Sequence, residues 1–532
     1  MKKHRFIVTL LLIVAALSMG LVATAQDEAA QVYREGFNSG CSPTTSLDTG
    51  CAHRLDIYVN EPLVAITWQG ELKPMLAESY ETADNGKIWT FNLRHDVLWH
   101  DGEAFNADDV IFSFNAYVNP TIGSRRHVWA NQILGYQAVR DGEADTLEGV
   151  RKIDDYTVEV ELTEASPIWL KIRGIYFVML PEHILGQMPE AEVLTSDFWL
   201  NRVGTGPFMW TEYVPDQYIK LTKNENYYLG TPQLDEVILQ MYADASTMLA
   251  DLESGALDTT WYEGDVFSPE DAKRIDELDG IDVVNMDKGS PAFLRLNHEM
   301  FSDVRVRQAI RYALDINLLM DTIYFEGGQP AYTMFTQDWA IPGDLNTYEY
   351  DPDKARELLA EAGWDSSQEV ELSYRGSGFT TDLMTVIQQF LADVGMNVVP
   401  RQVDAATITD QMNNMTLNMQ LAGYGLSVDP SIGDAGSMCG NILSGGYCNE
   451  DLDALYLRGA NLPDGEERAE VYQEIARILN EDLPSIWLWY EIRPIGFNRR
   501  VVGPYEHWSE QPSIYFNLPV YNEIETWHVA SE

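Results

Sequence analysis

Two short segments near residue 85 alternate apolar and polar side chains, which is the pattern of half-buried β-strands. They cover residues 79–82 and 87–94 and flank the Asp-Asn-Gly of residues 84–86. Asn-Gly tolerates the positive φ of a tight turn, so the pattern predicts a β-hairpin. Asn106 follows, with Asp109 where a capping box places its acidic partner. A capped helix is therefore expected to begin soon after the hairpin.

The second half of the chain carries apolar positions at helical spacing. These stripes lie at residues 306–314, 355–362, 383–391 and 471–479. Asp351 and Asp464 are expected to cap the second and the fourth of these helices. Strand-like apolar runs follow the last two stripes at residues 396–399 and 485–492. Helices that alternate closely with strands predict α/β organisation.

The N-terminus has the three parts of a secretory signal peptide. Residues 2–5 are basic, residues 6–22 are almost entirely apolar, and the Ala-Thr-Ala of residues 23–25 fits a signal peptidase site. We expect residues 1–25 to be removed, which places the mature protein in the periplasm or outside the cell. The alternative is an uncleaved membrane anchor, because the apolar stretch approaches a spanning length. No cysteine follows it, so a lipid anchor is not indicated.

Acidic side chains dominate the charge of the chain. Its 532 residues include 83 Asp and Glu against 35 Lys and Arg, so the net charge is −48. A surface this negative repels phosphate backbones, and nucleic acid is not an expected partner. The plainer interpretation of the same charge is a solvated surface that favours solubility, with no specific ligand implied.

Four cysteines form two locally spaced pairs, Cys41 with Cys51 and Cys439 with Cys448. Three pairings are open in principle, but short loops and an oxidising compartment favour one disulfide within each pair. A zinc site is the competing interpretation, and it lacks the C-x-x-C spacing and the accompanying histidines. Two disulfides and no metal site are expected.

Motifs of the common enzyme classes are missing from the sequence. It contains no G-x-S-x-G elbow, H-E-x-x-H helix, P-loop or G-x-G-x-x-G fingerprint. Residues 204–207, Gly-Thr-Gly-Pro, lack the lysine of a phosphate loop and are expected to form a turn that leads into a strand. His100 and Asp101 are expected to be turn residues, not an acid/base pair. Neither enzymatic activity nor a cofactor is expected.

Aromatic side chains are the more informative group. Trp261 and Tyr262 stand directly after the turn at residues 255–258 and outside any apolar period. This position favours exposure in a cleft, where an indole face can bind a ligand. The alternative is that they fill a hydrophobic core, as most aromatic residues do.

A series of motifs runs through the chain in a recognisable order. They are residues 76–81 (Leu-Ala-Glu-Ser-Tyr-Glu), 86–94, 100–102 (His-Asp-Gly), 107–110 (Ala-Asp-Asp-Val), 201–207 with 224–228 (Asn-Glu-Asn-Tyr-Tyr), 255–258, 304–315, 351–363 and 429–430 (Asp-Pro). Through them the chain resembles the extracellular solute-binding proteins of ABC importers for oligopeptides, dipeptides and nickel. The resemblance covers residues 30–525.

The resemblance implies a bilobal α/β fold of the periplasmic-binding-protein type II, with an additional third domain. It implies that lobe I is discontinuous, with parts at residues 26–58, 183–289 and 497–532. Domain II is expected as an insertion at residues 59–182, and lobe III at residues 290–496. In such proteins a hinge motion encloses the ligand between the lobes, and the closed form docks on a membrane permease.

The resemblance also implies a set of ligand-binding residues, in segments similar to those that line the family's cleft. They are Trp261, Tyr262, Arg375, Tyr424, Gly425, Ser427 and Asp429. Peptide binders of this family carry an Asp shortly after the position of Tyr424, where it pairs with the peptide's amino group. Here Leu426 or Ser427 stands in its place. A neutral ligand is therefore expected to fit better than a free ammonium group, unless Asp404 or Asp429 supplies the charge.

The expected function is capture of a peptide or a short oligosaccharide by the monomeric substrate-binding component of an ABC importer, which delivers it to a membrane permease. A secreted hydrolase, such as a glycosidase, is one alternative. A chemoreceptor ligand sensor with the same fold is another.

Overall fold

The computed structural model describes residues 30–38, 45–47, 52–67, 71–260, 269–286, 291–324, 329–375, 379–423, 429–432, 436–490, 493–506, 520–521 and 523–530. The predicted signal peptide and the predicted pair Cys41 and Cys51 lie outside these ranges.

The described strands, in chain order, are β1 (Val32–Asn38), β2 (Val64–Thr67), β3 (Leu72–Pro74), β4 (Ala77–Ala83), β5 (Ile88–Leu93), β6 (Val150–Asp154), β7 (Thr157–Glu161), β8 (Phe208–Val214), β9 (Tyr218–Lys223), β10 (Glu236–Tyr242), β11 (Ile281–Met286), β12 (Pro291–Leu296), β13 (Gln329–Pro330), β14 (Glu369–Tyr374), β15 (Asn397–Gln402), β16 (Met419–Gly423), β17 (Ser485–Tyr490), β18 (Arg493–Asn498), β19 (Val501–Val502), β20 (Val520–Tyr521) and β21 (His528–Val529).

The described α-helices are α1 (Ala52–Val59), α2 (Ala107–Val118), α3 (Tyr136–Arg140), α4 (Trp169–Ile172), α5 (Glu182–Leu185), α6 (Glu190–Val193), α7 (Ala245–Glu253), α8 (Pro269–Asp276), α9 (Val304–Ala313), α10 (Ile316–Tyr324), α11 (Pro352–Ala362), α12 (Phe379–Asp393), α13 (Ala405–Asn413), α14 (Glu450–Ala460) and α15 (Glu466–Asp482).

The hairpin near residue 85 and the helix cap that follows it form as the sequence predicts. Strands β4 and β5 pair antiparallel around the turn, in which Asp84, Asn85 and Gly86 all have positive φ. Asn106 caps α2: its side chain accepts the Asp108 N–H at 2.7 Å, and the Asp109 carboxylate accepts the Asn106 N–H at 3.0 Å. Both elements are confirmed, because turn and cap depend on a few neighbouring residues only.

The predicted cap at Asp351 is confirmed, and the one at Asp464 is wrong. Helix α11 begins at Pro352, and the Asp351 side chain accepts the Lys354 N–H. Helix α15 begins at Glu466, so Gly465 occupies the cap position. Asp464 lies one residue too early to cap this helix, and its carboxylate instead accepts from Arg468 at 2.9 Å.

Among the described residues, three large hydrophobic cores lie in different parts of the structure. One core, in the unit called lobe I, is built from side chains of residues 33–59, 208–241 and 501–527. Its sheet has the order β1-β10-β9-β8, and β1 and β10 run parallel. The fold is thus α/β with separate lobes, although the predicted domain boundaries stay predictions.

Domain II and lobe III each have a core of their own. Domain II is built on the sheet β4-β5-β7-β6, and its core extends from residue 47 to Trp199. Lobe III is built on the sheet β13-β17-β12-β16-β14-β15, with a core drawn from residues 292–490.

The Gly-Thr-Gly-Pro motif is a packing element, and it leads into β8 as predicted. A Cβ on Gly204 would overlap the carbonyl oxygen of Val59 at the end of α1. His100 is held here as well: its Nδ1 accepts the Gly204 N–H at 3.2 Å, and its Nε2–H donates to the Gly206 carbonyl at 2.9 Å. Burial lowers the pKa of His100 to about 4, so the ring is neutral at pH 7.

Gly204→Ala is expected to destabilise the protein by about 3 kcal/mol, because the backbone of α1 has to move away from the new methyl group. Urea denaturation followed by circular dichroism measures this. Gly343→Ala is the matched control, since a Cβ there meets no atom within 4 Å. Equal stabilities of the two variants would contradict the packing role.

Glu61 is a buried carboxyl group where domain II joins lobe I. Its oxygens accept from Thr205 at 2.9 Å, from Tyr227 at 2.8 Å and from Tyr228 at 3.0 Å. Burial raises the pKa of Glu61 to about 7, although these hydrogen bonds act in the opposite direction. The folded protein therefore holds this proton more tightly than the unfolded chain does, and stability falls as pH rises from about 4.5 to 7.

Between these pH values the native protein is expected to lose about 3 kcal/mol of its free energy of unfolding through Glu61. Glu61→Gln is expected to remove this loss, because an amide stays neutral at every pH. The melting temperature of the variant relative to the native protein should therefore rise between pH 5 and pH 8. Glu78→Gln, at an exposed position on β4, serves as the control and should show no such trend. A constant difference for Glu61→Gln would refute the assignment.

Candidate functional site

One edge of the lobe III sheet collects the ends of several strands. Strand β14 runs parallel to β15 and to β16, so their carboxyl ends at Tyr374, Gln402 and Gly423 lie on the same side. In α/β folds, ligands bind at the carboxyl ends of parallel strands. Strand β12 runs antiparallel to β16 and begins at this edge, where Ala292 lies opposite Gly423.

The chain also enters and leaves lobe III at this edge. Strand β17 ends at Tyr490, opposite Pro291 at the start of β12. Strands β11 and β18, which lead into and out of the lobe, pair with each other from Ile281 with Asn498 to Met286 with Arg493. The candidate site therefore lies beside the connection between the lobes.

Arg375 is the predicted site residue that the structure places at this edge. It follows β14 directly, and its side chain is exposed. Tyr424, Gly425 and Ser427 lie outside the described residues, and β16 ends immediately before them. Their roles in ligand binding stay predictions.

Trp261 and Tyr262 also lie outside the described residues, but the residues just before them are fixed. Thr259 accepts the Gly36 N–H of β1 at 2.8 Å, and Thr260 donates its N–H to the Gly496 carbonyl of β18 at 3.0 Å. The Thr260 hydroxyl accepts the Gly496 N–H at 2.9 Å. The two residues that precede Trp261 are thus hydrogen-bonded to β1 of lobe I and to β18 of the connection between the lobes.

Asp258 anchors this region through an ion pair that the sequence interpretation missed. Its buried carboxylate accepts from Arg500 at 2.6 Å and from the Arg34 N–H at 2.7 Å, and its carbonyl accepts the Asn498 N–H at 2.7 Å. Burial raises the pKa of Asp258, and the positive charge of Arg500 opposes that shift. The pair joins residues 242 positions apart, so local patterns contain no signal for it.

Asp429 is buried in an ion pair, whereas the sequence predicts that it contacts the ligand. Its Oδ1 accepts from the Arg468 Nη2 at 2.6 Å and from the Ser431 hydroxyl at 2.6 Å. Neither Asp429 nor Arg468 has an exposed side chain. Asp404, the other acid considered, is exposed and caps α13 by accepting the Thr407 N–H at 2.7 Å.

Cys439 and Cys448 form a disulfide, in agreement with the predicted pairing, with Cα atoms 4.3 Å apart. The bridge lies in lobe III, and the Asp453 carboxylate accepts the Cys439 N–H at 3.2 Å. In the part of the chain that the structure describes, no group of three or more His, Cys, Asp or Glu side chains is arranged to hold a metal ion.

Comparison with known proteins identifies the family of the chain. Residues 71–441 match the middle region of the bacterial extracellular solute-binding proteins, family 5. The chain belongs to this family. Among the described helices, none combines the length and the apolar character that crossing a membrane requires.

Curated relatives match over different shares of their length. A Brucella ovis protein assigned as an ABC transporter peptide-binding protein is 34% identical over 342 residues, which cover 62% of this chain and 60% of the relative. The oligopeptide-binding protein AppA of Bacillus subtilis is 27% identical over 483 residues, which cover 86% of this chain and 84% of AppA.

Solved structures share the fold over nearly the whole chain. The ABC transporter substrate-binding protein CtaP of Listeria monocytogenes matches with a TM-score of 0.80 at 22% identity, covering 94% of this chain and all of CtaP. AppA of Bacillus subtilis in complex with a nonapeptide matches with a TM-score of 0.74 at 24% identity, with the same coverage. These similarities establish the bilobal α/β fold.

Arg375→Ala is expected to weaken ligand binding about tenfold, because one charge-assisted hydrogen bond contributes on the order of 1.5 kcal/mol. The melting temperature of the ligand-free protein should not change, since the side chain is exposed. Calorimetry with the best-binding peptide of a thermal-shift screen measures the affinity. Arg356→Ala, on the outer helix α11, removes the same charge elsewhere and should leave the affinity unchanged. An unchanged affinity for Arg375→Ala would exclude Arg375 from the site.

Proposed function

We propose that this chain is the extracytoplasmic substrate-binding component of an ABC importer, and that it captures a peptide between lobe I and lobe III. One observation carries this proposal: Arg375 and the carboxyl ends of the lobe III strands lie beside the paired strands β11 and β18, which connect the lobes. The chain also belongs to a family of solute-binding proteins. A ligand bound there touches the moving parts directly, so binding and closure are linked. The closed form then docks on a membrane permease and releases the peptide to it.

The names of the relatives support a peptide as the ligand. The Brucella ovis relative is assigned to peptide binding, AppA is named for oligopeptides, and the AppA structure contains a nonapeptide. A short oligosaccharide is the alternative ligand, because sugars stack on indole and phenol rings of the kind expected at Trp261 and Tyr424.

Recognition of the peptide's amino group is proposed not to depend on an acidic side chain of the protein. Asp429 already accepts from Arg468 and Ser431, and Asp404 caps a helix at an exposed position. An ammonium group buried without a carboxylate partner is costly. We therefore propose that the peptide is held mainly by hydrogen bonds to its backbone and by aromatic contacts, and that its ends remain hydrated.

N-acetylation of a bound peptide is therefore expected to change its affinity less than about tenfold, since it removes a charge that the site does not pair. Calorimetry with one nonapeptide, its N-acetylated form and a series of short oligosaccharides tests this. A loss of more than about 3 kcal/mol on acetylation would show that an acidic side chain binds the amino group.

Other outcomes separate the alternative functions. Binding of oligosaccharides alone would replace the peptide proposal by the sugar alternative. Products from either ligand, detected by mass spectrometry after long incubation, would indicate a hydrolase. Tight binding without uptake by cells that carry the cognate permease genes would favour a chemoreceptor sensor. Stoichiometric peptide binding together with uptake supports the importer.

A further inference from the structure

An ion pair connects domain II with lobe III. The Lys171 Nζ lies 3.4 Å from the Asp464 Oδ2. Lys171 belongs to α4, in which Trp169 and Leu170 are buried in the core of domain II. Asp464 immediately precedes the cap position of α15 in lobe III. The two residues are 293 positions apart in sequence, so their contact depends entirely on the relative position of the two units.

Asp464 is in turn bound to a rigidly held arginine. The Arg468 Nη1 donates to the Asp464 Oδ1 at 2.9 Å, and the Arg468 Nε donates to the Gly459 carbonyl at 3.0 Å. The guanidinium also lies over the rings of Trp339, at 5.2 Å, and Tyr472, at 4.9 Å. These contacts leave the Arg468 guanidinium little freedom to move. A displacement of Asp464 on one side of the guanidinium is therefore transmitted to the residue on its other side.

On that other side is Asp429, which the sequence assigns to the ligand site. The Arg468 Nη2 donates to the Asp429 Oδ1 at 2.6 Å, and both side chains are fully buried. The same oxygen accepts the Ser431 N–H at 3.0 Å. Lys171, Asp464, Arg468 and Asp429 thus form one continuous chain of alternating charges from domain II to the predicted ligand site.

Both units carry an excess of acidic side chains, so a cation at their contact reduces the repulsion between them. Residues 63–199 contain 22 acidic and 10 basic side chains, and residues 291–490 contain 31 acidic and 11 basic. Two surfaces of this composition repel each other as they approach. Arg468 is already paired with Asp429, so Asp464 is a second carboxylate beside the same guanidinium. Lys171 balances the negative charge of Asp464 when the units meet.

We propose that Lys171 and Asp464 form a closure latch, and that Arg468 couples this latch to Asp429, which follows the predicted ligand-binding residues in the chain. The inference deepens the proposed capture of a peptide and rests on it. A ligand that restrains the backbone at Asp429, whose buried side chain it does not contact, also restrains Arg468 and Asp464 in the geometry that receives Lys171. Closure of domain II onto lobe III in turn restrains Asp429.

Zero-length cross-linking of the full chain tests the contact itself. A carbodiimide joins an amine to a carboxylate only when the two touch, so a Lys171–Asp464 cross-link is expected by mass spectrometry in the ligand-free protein. Its yield should rise when a nonapeptide is added. Lys171→Arg keeps the charge but forms no such amide, and it should abolish the product. The pair Lys152 and Asp108, 2.9 Å apart within domain II, is the internal control and should cross-link equally in both states.

Hydrogen exchange tests the coupling without any ligand. Lys171→Met keeps the apolar stem and removes the charge, and it is expected to speed exchange in the peptide that covers Asp429 to Ser431 about two- to fivefold, the range that ion pairs of this exposure support. Asp464→Asn should have a similar effect. Lys152→Met is the matched control and should leave this peptide unchanged.

The results separate this inference from the proposed function. Absence of the Lys171–Asp464 cross-link while the control pair forms would overturn the latch. Unchanged exchange at Asp429 to Ser431 in Lys171→Met would overturn the coupling. If no peptide binds at all, the proposed function fails, yet the cross-link and the exchange of the ligand-free protein still decide the latch.

Discussion

The antiparallel pairing of β11 with β18 is the constraint on which the relation between the lobes depends. These strands carry the chain into and out of lobe III side by side. On the lobe I side, Asn498 and Arg500 of the outgoing chain bind Asp258, which also holds β1 through Arg34. Because this buried carboxylate has both a cationic partner and backbone donors, removal of one partner would leave a charge uncompensated. The pair of strands is therefore anchored to lobe I, and the candidate site lies directly beyond it.

Domain II is fastened to lobe I in a different way, through buried polar groups. Asp56 of α1 accepts from Arg126 at 3.3 Å and from Arg202 at 3.2 Å, and all three side chains are almost fully buried. Burial lowers the pKa of Arg202 to about 10, and the charge of Asp56 acts against that shift. Glu61 adds three hydroxyl contacts at the same junction. Polar groups buried this deeply lose their partners if the units separate, which favours domain II and lobe I remaining one body, and Lys171 belongs to that body.

The elements that could be predicted from sequence are those whose determinants are close neighbours. The hairpin at residue 85, the cap at Asn106 and the disulfide of Cys439 with Cys448 each depend on residues fewer than ten positions apart. Asp464 shows the limit of this reasoning: an acid before a helix resembles a cap, but the adjacent Gly465 takes that place and Arg468 binds the carboxylate. The family resemblance assigns Asp429 to the ligand site, and that role stays a prediction. The burial of Asp429 against Arg468 could not be predicted, because that contact forms only when β16, α15 and their loops pack together.

A latch between partly exposed charges affects closure without controlling it alone. Asp464 keeps more than half of its side chain in water, and ion pairs of this kind contribute about 0.2 to 1 kcal/mol. Such a contribution is too small to hold two acidic surfaces together permanently when the site is empty, so the contact forms and breaks repeatedly. A ligand shifts the lobes toward closure only through its differential affinity for the closed form. Under the proposed function, weak contact between the units favours reversible capture, because closure would then draw most of its free energy from the ligand and could be reversed for release.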